Sequence, residues 1–170
     1  YFGMDNRGLT QQYIHALKNW DVEFLYILES RSLSEKSTIF NELNSITKAQ
    51  IYIVPYGMTN VEKTKKIVEK IIQYKPEKAF LHLAPWDVVA VSVWSALDNV
   101  ERYFIDLTDH AFWLGKSCSD YFLGFRDYGF SIAEKYRNIN SEKLLKQLYY
   151  PILNDSEFDG FPVSVENKIV

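Results

Sequence analysis

The residues of this chain that could do chemistry fall into a few short clusters. The most specific is Asp106-Leu107-Thr108-Asp109-His110-Ala111-Phe112-Trp113-Leu114-Gly115. A histidine titrates near neutrality, so it can serve as a general base or as a neutral donor to a hydroxyl. An adjacent carboxylate can fix its tautomer. His110 and Asp109 are therefore the catalytic candidates, and Phe112 and Trp113 offer flat apolar faces of the kind that pack against sugar rings. An alternative stays open for each neighbour. Thr108 or Asp109 can cap a helix turn, and Phe112-Trp113 can belong to a core.

Other candidates bind rather than react. His82 lies near the end of an apolar run and opens His82-Leu83-Ala84-Pro85-Trp86-Asp87. It is either a ligand contact or a satisfied core histidine. Asp87 reads as a first-turn helix residue whose charge suits the helix dipole. Asn6, Arg7 and Gly8 precede a helical pattern, where amides, dipole and guanidinium would together face a phosphate. A solvated loop arginine is the equal alternative. Arg126 follows the last apolar run, as a ligand clamp or as a surface partner of Asp127, with the second preferred. His15 falls on the polar side of the first helical pattern.

Composition narrows the classes. The chain has 170 residues, 47% hydrophobic and 24% charged, which fits a single globular domain and excludes disordered and fibrous types. Its net charge is −3, and a protein that lives on phosphate-backbone contacts is normally basic. Nucleic acid is therefore not an expected partner. A lone cysteine, Cys118, excludes an internal disulfide and a Cys-rich zinc site, and it predicts a reducing, cytoplasmic setting. No apolar stretch reaches the roughly 18 residues of a membrane span. Nucleophile elbows, P-loops, G-x-G-x-x-G, paired catalytic carboxylates and metal-ligand spacings are absent from the sequence, so no metal is expected.

The elements that must position these residues are legible in the apolar pattern. Runs at Phe24–Leu28, Ile51–Val54, Ala79–Leu83, Tyr103–Ile105 and Tyr121–Phe125 are β-branched and aromatic without polar alternation. Strands of that kind belong to a sheet covered on both faces. Helical stripes alternate with them: Leu9, Tyr13, Ile14 and Leu17; Ile39, Phe40, Leu43 and Ile46; Val61, Val68, Ile71 and Ile72; Val88, Val91 and Ala96-Leu97. The last is apolar nearly all round, which predicts a sandwiched helix. Ser32-x-x-Glu35 and Thr59-x-x-Glu62 have capping-box spacing. Pro85 suits the first turn of the fourth helix, and Lys75-Pro76 closes the third. The pattern predicts an α/β fold, a Rossmann-like doubly wound parallel sheet in three αβα layers.

The ends carry further expectations. A strand should precede the first helix, and Tyr1-Phe2-Gly3 can hold only its last residues, so part of that strand is expected to lie upstream. Residues 1–160 read as one Rossmann-like domain. Residues 161–170 read as a linker into the first strand of a second domain, with Ile169-Val170 at its start.

From His82 to Ile152 the sequence resembles the N-terminal half of a bacterial glycosyltransferase of the B-type fold, which has two facing Rossmann-like domains. The resemblance rests on Phe80-Leu81-His82, Pro85-Trp86-Asp87, Asp109-His110-Ala111-Phe112-Trp113-Leu114-Gly115, Ser119-Asp120-Tyr121-Phe122, Phe125-Arg126, Tyr136-Arg137 and Tyr149-Tyr150-Pro151-Ile152. It implies an acceptor-side domain, with a nucleotide-sugar donor as co-substrate held mainly by a C-terminal domain of the same chain. It implies reaction in the cleft between the two, usually without a bound metal, and a glycan or lipid-linked acceptor. The position of His110 matches the histidine that contacts the transferred sugar or acts as base in such enzymes. His82, Trp113 and Arg126 become substrate-binding candidates beside Asn6, Arg7 and Gly8. The C-terminal domain's nucleotide-binding carboxylates have no counterpart here, so this chain alone is expected not to turn over. Lys63, Lys65, Lys66 and Lys70 form either a solvated helix face or a peripheral contact with an anionic membrane. The rival readings are a non-catalytic Rossmann-like module that binds a nucleotide or a protein, and a polymerase-type transferase that moves a polyol phosphate.

Overall fold

The computed structural model describes residues 9–28 and 38–149. Helix and strand alternate through α1 (Leu9–Asn19), β1 (Phe24–Leu28), α2 (Thr38–Asn44), β2 (Ala49–Ile53), α3 (Asn60–Tyr74), β3 (Lys78–Leu81), α4 (Val88–Ser95), β4 (Glu101–Ile105), β5 (Tyr121–Gly124), α5 (Asp127–Arg137) and β6 (Leu144–Lys146). Every strand pair is parallel. β1 pairs with β2, and the second sheet runs β3-β4-β5-β6.

Strand alternation feeds two cores, which is why the strands carry no polar face. Phe24, Tyr26 and Leu28 join Leu9, Tyr13 and Ile14 of α1 and Ile39 and Leu43 of α2. Ile27 points to the opposite core with Leu81, Phe104 and Phe122, under Ile67 and Ile71 of α3, Val89, Ala90 and Val93 of α4, and Ala133 of α5. Helices on both faces of parallel strands make the expected Rossmann-like αβα arrangement.

Local signals explain several boundaries. Thr59 caps α3: its hydroxyl accepts from the Glu62 N–H at 3.3 Å, and the Glu62 carboxylate accepts from the Thr59 N–H at 2.8 Å. Lys75 turns left-handed at φ 57° and ends that helix before Pro76. The Ser32–Glu35 box, Asn6, Arg7, Gly8 and the ends at Tyr1-Phe2-Gly3 and 160–170 lie outside the described residues.

Four expectations need correction. Among the described residues the second strand lies at an edge, and Gln50 and Ile53 are exposed instead of covered. The fourth helix is not sandwiched: Val89, Ala90, Val93 and Trp94 are buried, whereas Val88, Ser92 and Ser95 face outward. Pro85 is not in its first turn. The helix begins at Val88, with the Asp87 carboxylate accepting from the Ala90 N–H at 2.9 Å as its cap. α5 and β6 carry no clear apolar period in the sequence and extend the fold beyond five strands.

The amino ends of β4 and β5 are joined by one clamp. Arg102 grips Asp120 with two guanidinium contacts of 2.9 Å, its backbone N–H adds a third at 2.8 Å, and its Nη1 donates to Trp94 O at 2.7 Å. These donors hold the Asp120 carboxyl below the usual carboxylate range. A carboxyl depressed in the fold contributes stability above its unfolded pKa and loses it as pH falls through the folded one. We predict that wild type is more urea-resistant than Asp120→Asn at neutral pH, and that the gap between their midpoints narrows below about pH 4. A gap independent of pH would contradict this role.

Candidate functional site

The carboxyl ends of parallel strands form the usual ligand edge of such a sheet. Three sequence-predicted segments share that edge here. Half-buried His82 follows β3, the loop Asp106–Gly115 follows β4, and Arg126 follows β5.

The loop after β4 is built around two buried carboxylates and two arginines. Asp106 takes a 2.8 Å contact from Arg137 Nη1. Burial pushes the Asp106 carboxyl up, and Arg137 opposes that push. The same guanidinium donates through Nη2 to Thr108 O at 3.3 Å, Asp109 O at 3.0 Å and Ala111 O at 2.7 Å. Its Cζ lies over the Trp113 ring, 4.7 Å from the ring centre. Trp113 in turn stacks on Phe104 at 4.3 Å and meets Phe122 at 5.9 Å. Gly115 adopts φ 113°, a conformation that side chains resist, and closes the loop.

Asp109 is the second carboxylate. Both its oxygens are held by Arg126, with Nε at 3.0 Å from Oδ2 and Nη2 on Oδ1. It faces the first turn of α5 so closely that a Cβ on Gly129 would stand 2.8 Å from its Oδ2. A helix start favours negative charge there. His110 Nδ1 lies 3.5 Å from Asp109 Oδ1, close but too long for a good hydrogen bond. The imidazole is 67% exposed while Asp109 is buried, so the pair presents an accessible ring beside a fixed carboxylate.

The structure therefore unites His110, Asp109 and Arg126, with His82 on the same edge. It corrects two assignments. Trp113 is a core residue whose faces are occupied by Phe104 and Arg137, so it offers no platform to a substrate. Phe112 is instead 86% exposed, and Trp86 presents a second ring at 76%. Arg126 is not the partner of Asp127, which binds Lys146 at 2.9 Å. Arg137 is the organising residue that sequence reasoning missed. An arginine at the end of a helix reads as a solvated or dipole-capping charge, and nothing local reveals the loop it will reach.

The hollow beside Asp106, Asp109 and Gly129 measures about 10 Å³, room for about one water and no substrate. The candidate site is thus an open rim. A cleft of about 930 Å³ lies elsewhere, between β1 and β3. Among the described residues no three His, Cys, Asp or Glu side chains gather as a metal-holding group, and no helix is long and apolar enough to cross a membrane. Comparison with family models, curated proteins and solved structures finds no match to this chain.

Two substitutions test the loop. Gly129→Ala forces a methyl onto Asp109 and should destabilise the fold by about 1–3 kcal/mol. Arg137→Ala strands buried Asp106 and should cost about 3–5 kcal/mol. Chemical denaturation measures both, and a loss under half a kcal/mol for Arg137→Ala would refute its organising role.

Proposed function

We propose that this chain is the acceptor-side domain of a glycosyltransferase that moves a sugar from a nucleotide-sugar to a glycan or lipid-linked acceptor. The observation that carries the reading is the exposed His110 imidazole beside buried, arginine-held Asp109 on the carboxyl rim of the sheet. The sequence resemblance supplies the reaction class, and the rim supplies groups that suit it.

In this reading the acceptor hydroxyl attacks the anomeric carbon of the donor sugar. The new C–O bond forms as the bond to the nucleoside diphosphate breaks, and the diphosphate leaves with the bonding pair. His110 orients the hydroxyl and takes its proton. Asp109 favours the imidazolium that results, and Arg126 keeps Asp109 in place. Exposed Phe112 and Trp86 offer apolar faces to the acceptor's rings or lipid. His82 adds a polar contact near the rim, and Asn6, Arg7 and Gly8 are assigned to the donor diphosphate or the acceptor. The donor itself is assigned to a second domain of the same protein, and no metal is invoked.

A non-catalytic binding module remains the rival, since an open rim with two exposed aromatic rings also suits a partner surface. Transfer assays on the complete protein separate the two. His110→Ala should lower kcat by roughly a hundredfold or more while leaving thermal unfolding unchanged. Phe112→Ala should act mainly on the acceptor KM. An unaltered rate in His110→Ala refutes the catalytic assignment and favours the binding module.

A further inference from the structure

We propose that the outward face of α3 and α4 is a peripheral contact surface for a bilayer that holds anionic lipid. Residue spacing, exposure and charge each point to it.

α3 and α4 pack side by side on one face of the sheet, with Ile67 and Ile71 meeting Val89, Ala90 and Val93 in the core. Their outward sides therefore share one surface. A solvated helix normally carries charge on that side. α4 carries none: no charged residue stands between Val88 and Leu97, and its outward positions are Val88, Ser92 and Ser95. On α3, Val61, Lys65, Val68 and Ile72 recur three or four residues apart and form one stripe along the helix. Val61 is 64% exposed, Ile72 58% and Val88 50%. Tyr56 stands exposed just ahead of α3. Apolar side chains held outward by a packed scaffold suit the boundary between headgroups and acyl chains, and a tyrosine ring suits the headgroup level.

Charge selects the kind of bilayer. α3 carries Lys63, Lys65, Lys66 and Lys70 against Glu62 and Glu69. The Glu62 carboxylate is turned back onto the helix start, accepting from the Thr59 N–H at 2.8 Å and from the Thr59 hydroxyl at 2.7 Å. Glu69 is paired with Lys66 at 3.0 Å. Lys65 is exposed within the apolar stripe. Its stem can stay with the apolar groups while its ammonium reaches a lipid phosphate. An anionic leaflet attracts such a surface, and a neutral one does not. A second copy fits less well, because a two-fold contact on this face sets like charges together. The contact does not depend on the glycosyltransferase reading.

Sedimentation of the complete protein with vesicles tests it, and the lipid comparison needs no substitution. Partition to phosphatidylcholine vesicles holding about 30% phosphatidylglycerol should be at least about tenfold stronger than to phosphatidylcholine alone, and about 0.5 M salt should abolish the difference. Lys65→Glu should weaken binding to the anionic vesicles about tenfold, and Val61→Ser combined with Ile72→Ser about as much, with thermal unfolding unchanged. Equal partition to the two vesicle types, no partition to either, or wild-type binding by Lys65→Glu overturns the proposal. So does a dimer in solution that Val61→Ser combined with Ile72→Ser dissociates, which assigns the face to a second copy.

Discussion

Arg137 reaches from the last turn of α5 to the loop after β4 and meets four acceptors there: the Asp106 carboxylate and the carbonyls of Thr108, Asp109 and Ala111. The loop has no helix or strand to satisfy those carbonyls, and a planar guanidinium with several fixed donors can serve them together. A lysine has neither the fork nor the flat face that covers Trp113. The course of the loop after β4 follows from this grip. It holds Asp109 against α5, Asp109 holds Arg126, and His110 stands at the surface beside the anion.

The electrostatics of this arrangement favour specificity over stability. Burying two carboxylates is costly, and their arginines offset that cost only while the geometry holds. A loop fixed in this way has few alternative packings. That is useful for a site in which an exposed ring must keep one position relative to a charge. Gly129 belongs to the same device, since the close approach of α5 to Asp109 leaves no space for a side chain.

Much of the scaffold was legible because its causes are local. The apolar runs at Phe24–Leu28 and Tyr121–Gly124 are strands because both faces are covered, and Thr59-x-x-Glu62 ends in a capping box because the donors and acceptors lie within one turn. The failures are equally physical. β2 reads like a central strand, but among the described residues it lies at an edge and is partly exposed. α4 reads as apolar all round, yet only Val89, Ala90, Val93 and Trp94 meet the core. β6 is three residues long, too short for a period to register, and exists through its pairing with β5.

The sequence by itself determined the alternation of helix and strand, the doubly wound class and the chemical promise of Asp109-His110. Periodicity, capping and side-chain chemistry act over a few neighbouring residues. Only the tertiary structure decided that Trp113 is floor and Phe112 is surface, and that Arg126 serves Asp109 instead of Asp127. It also decided that Arg137, 31 positions from Asp106, organises the loop. Those outcomes depend on which strand ends and helix turns the packing brings side by side, a long-range geometry that no short window of residues encodes.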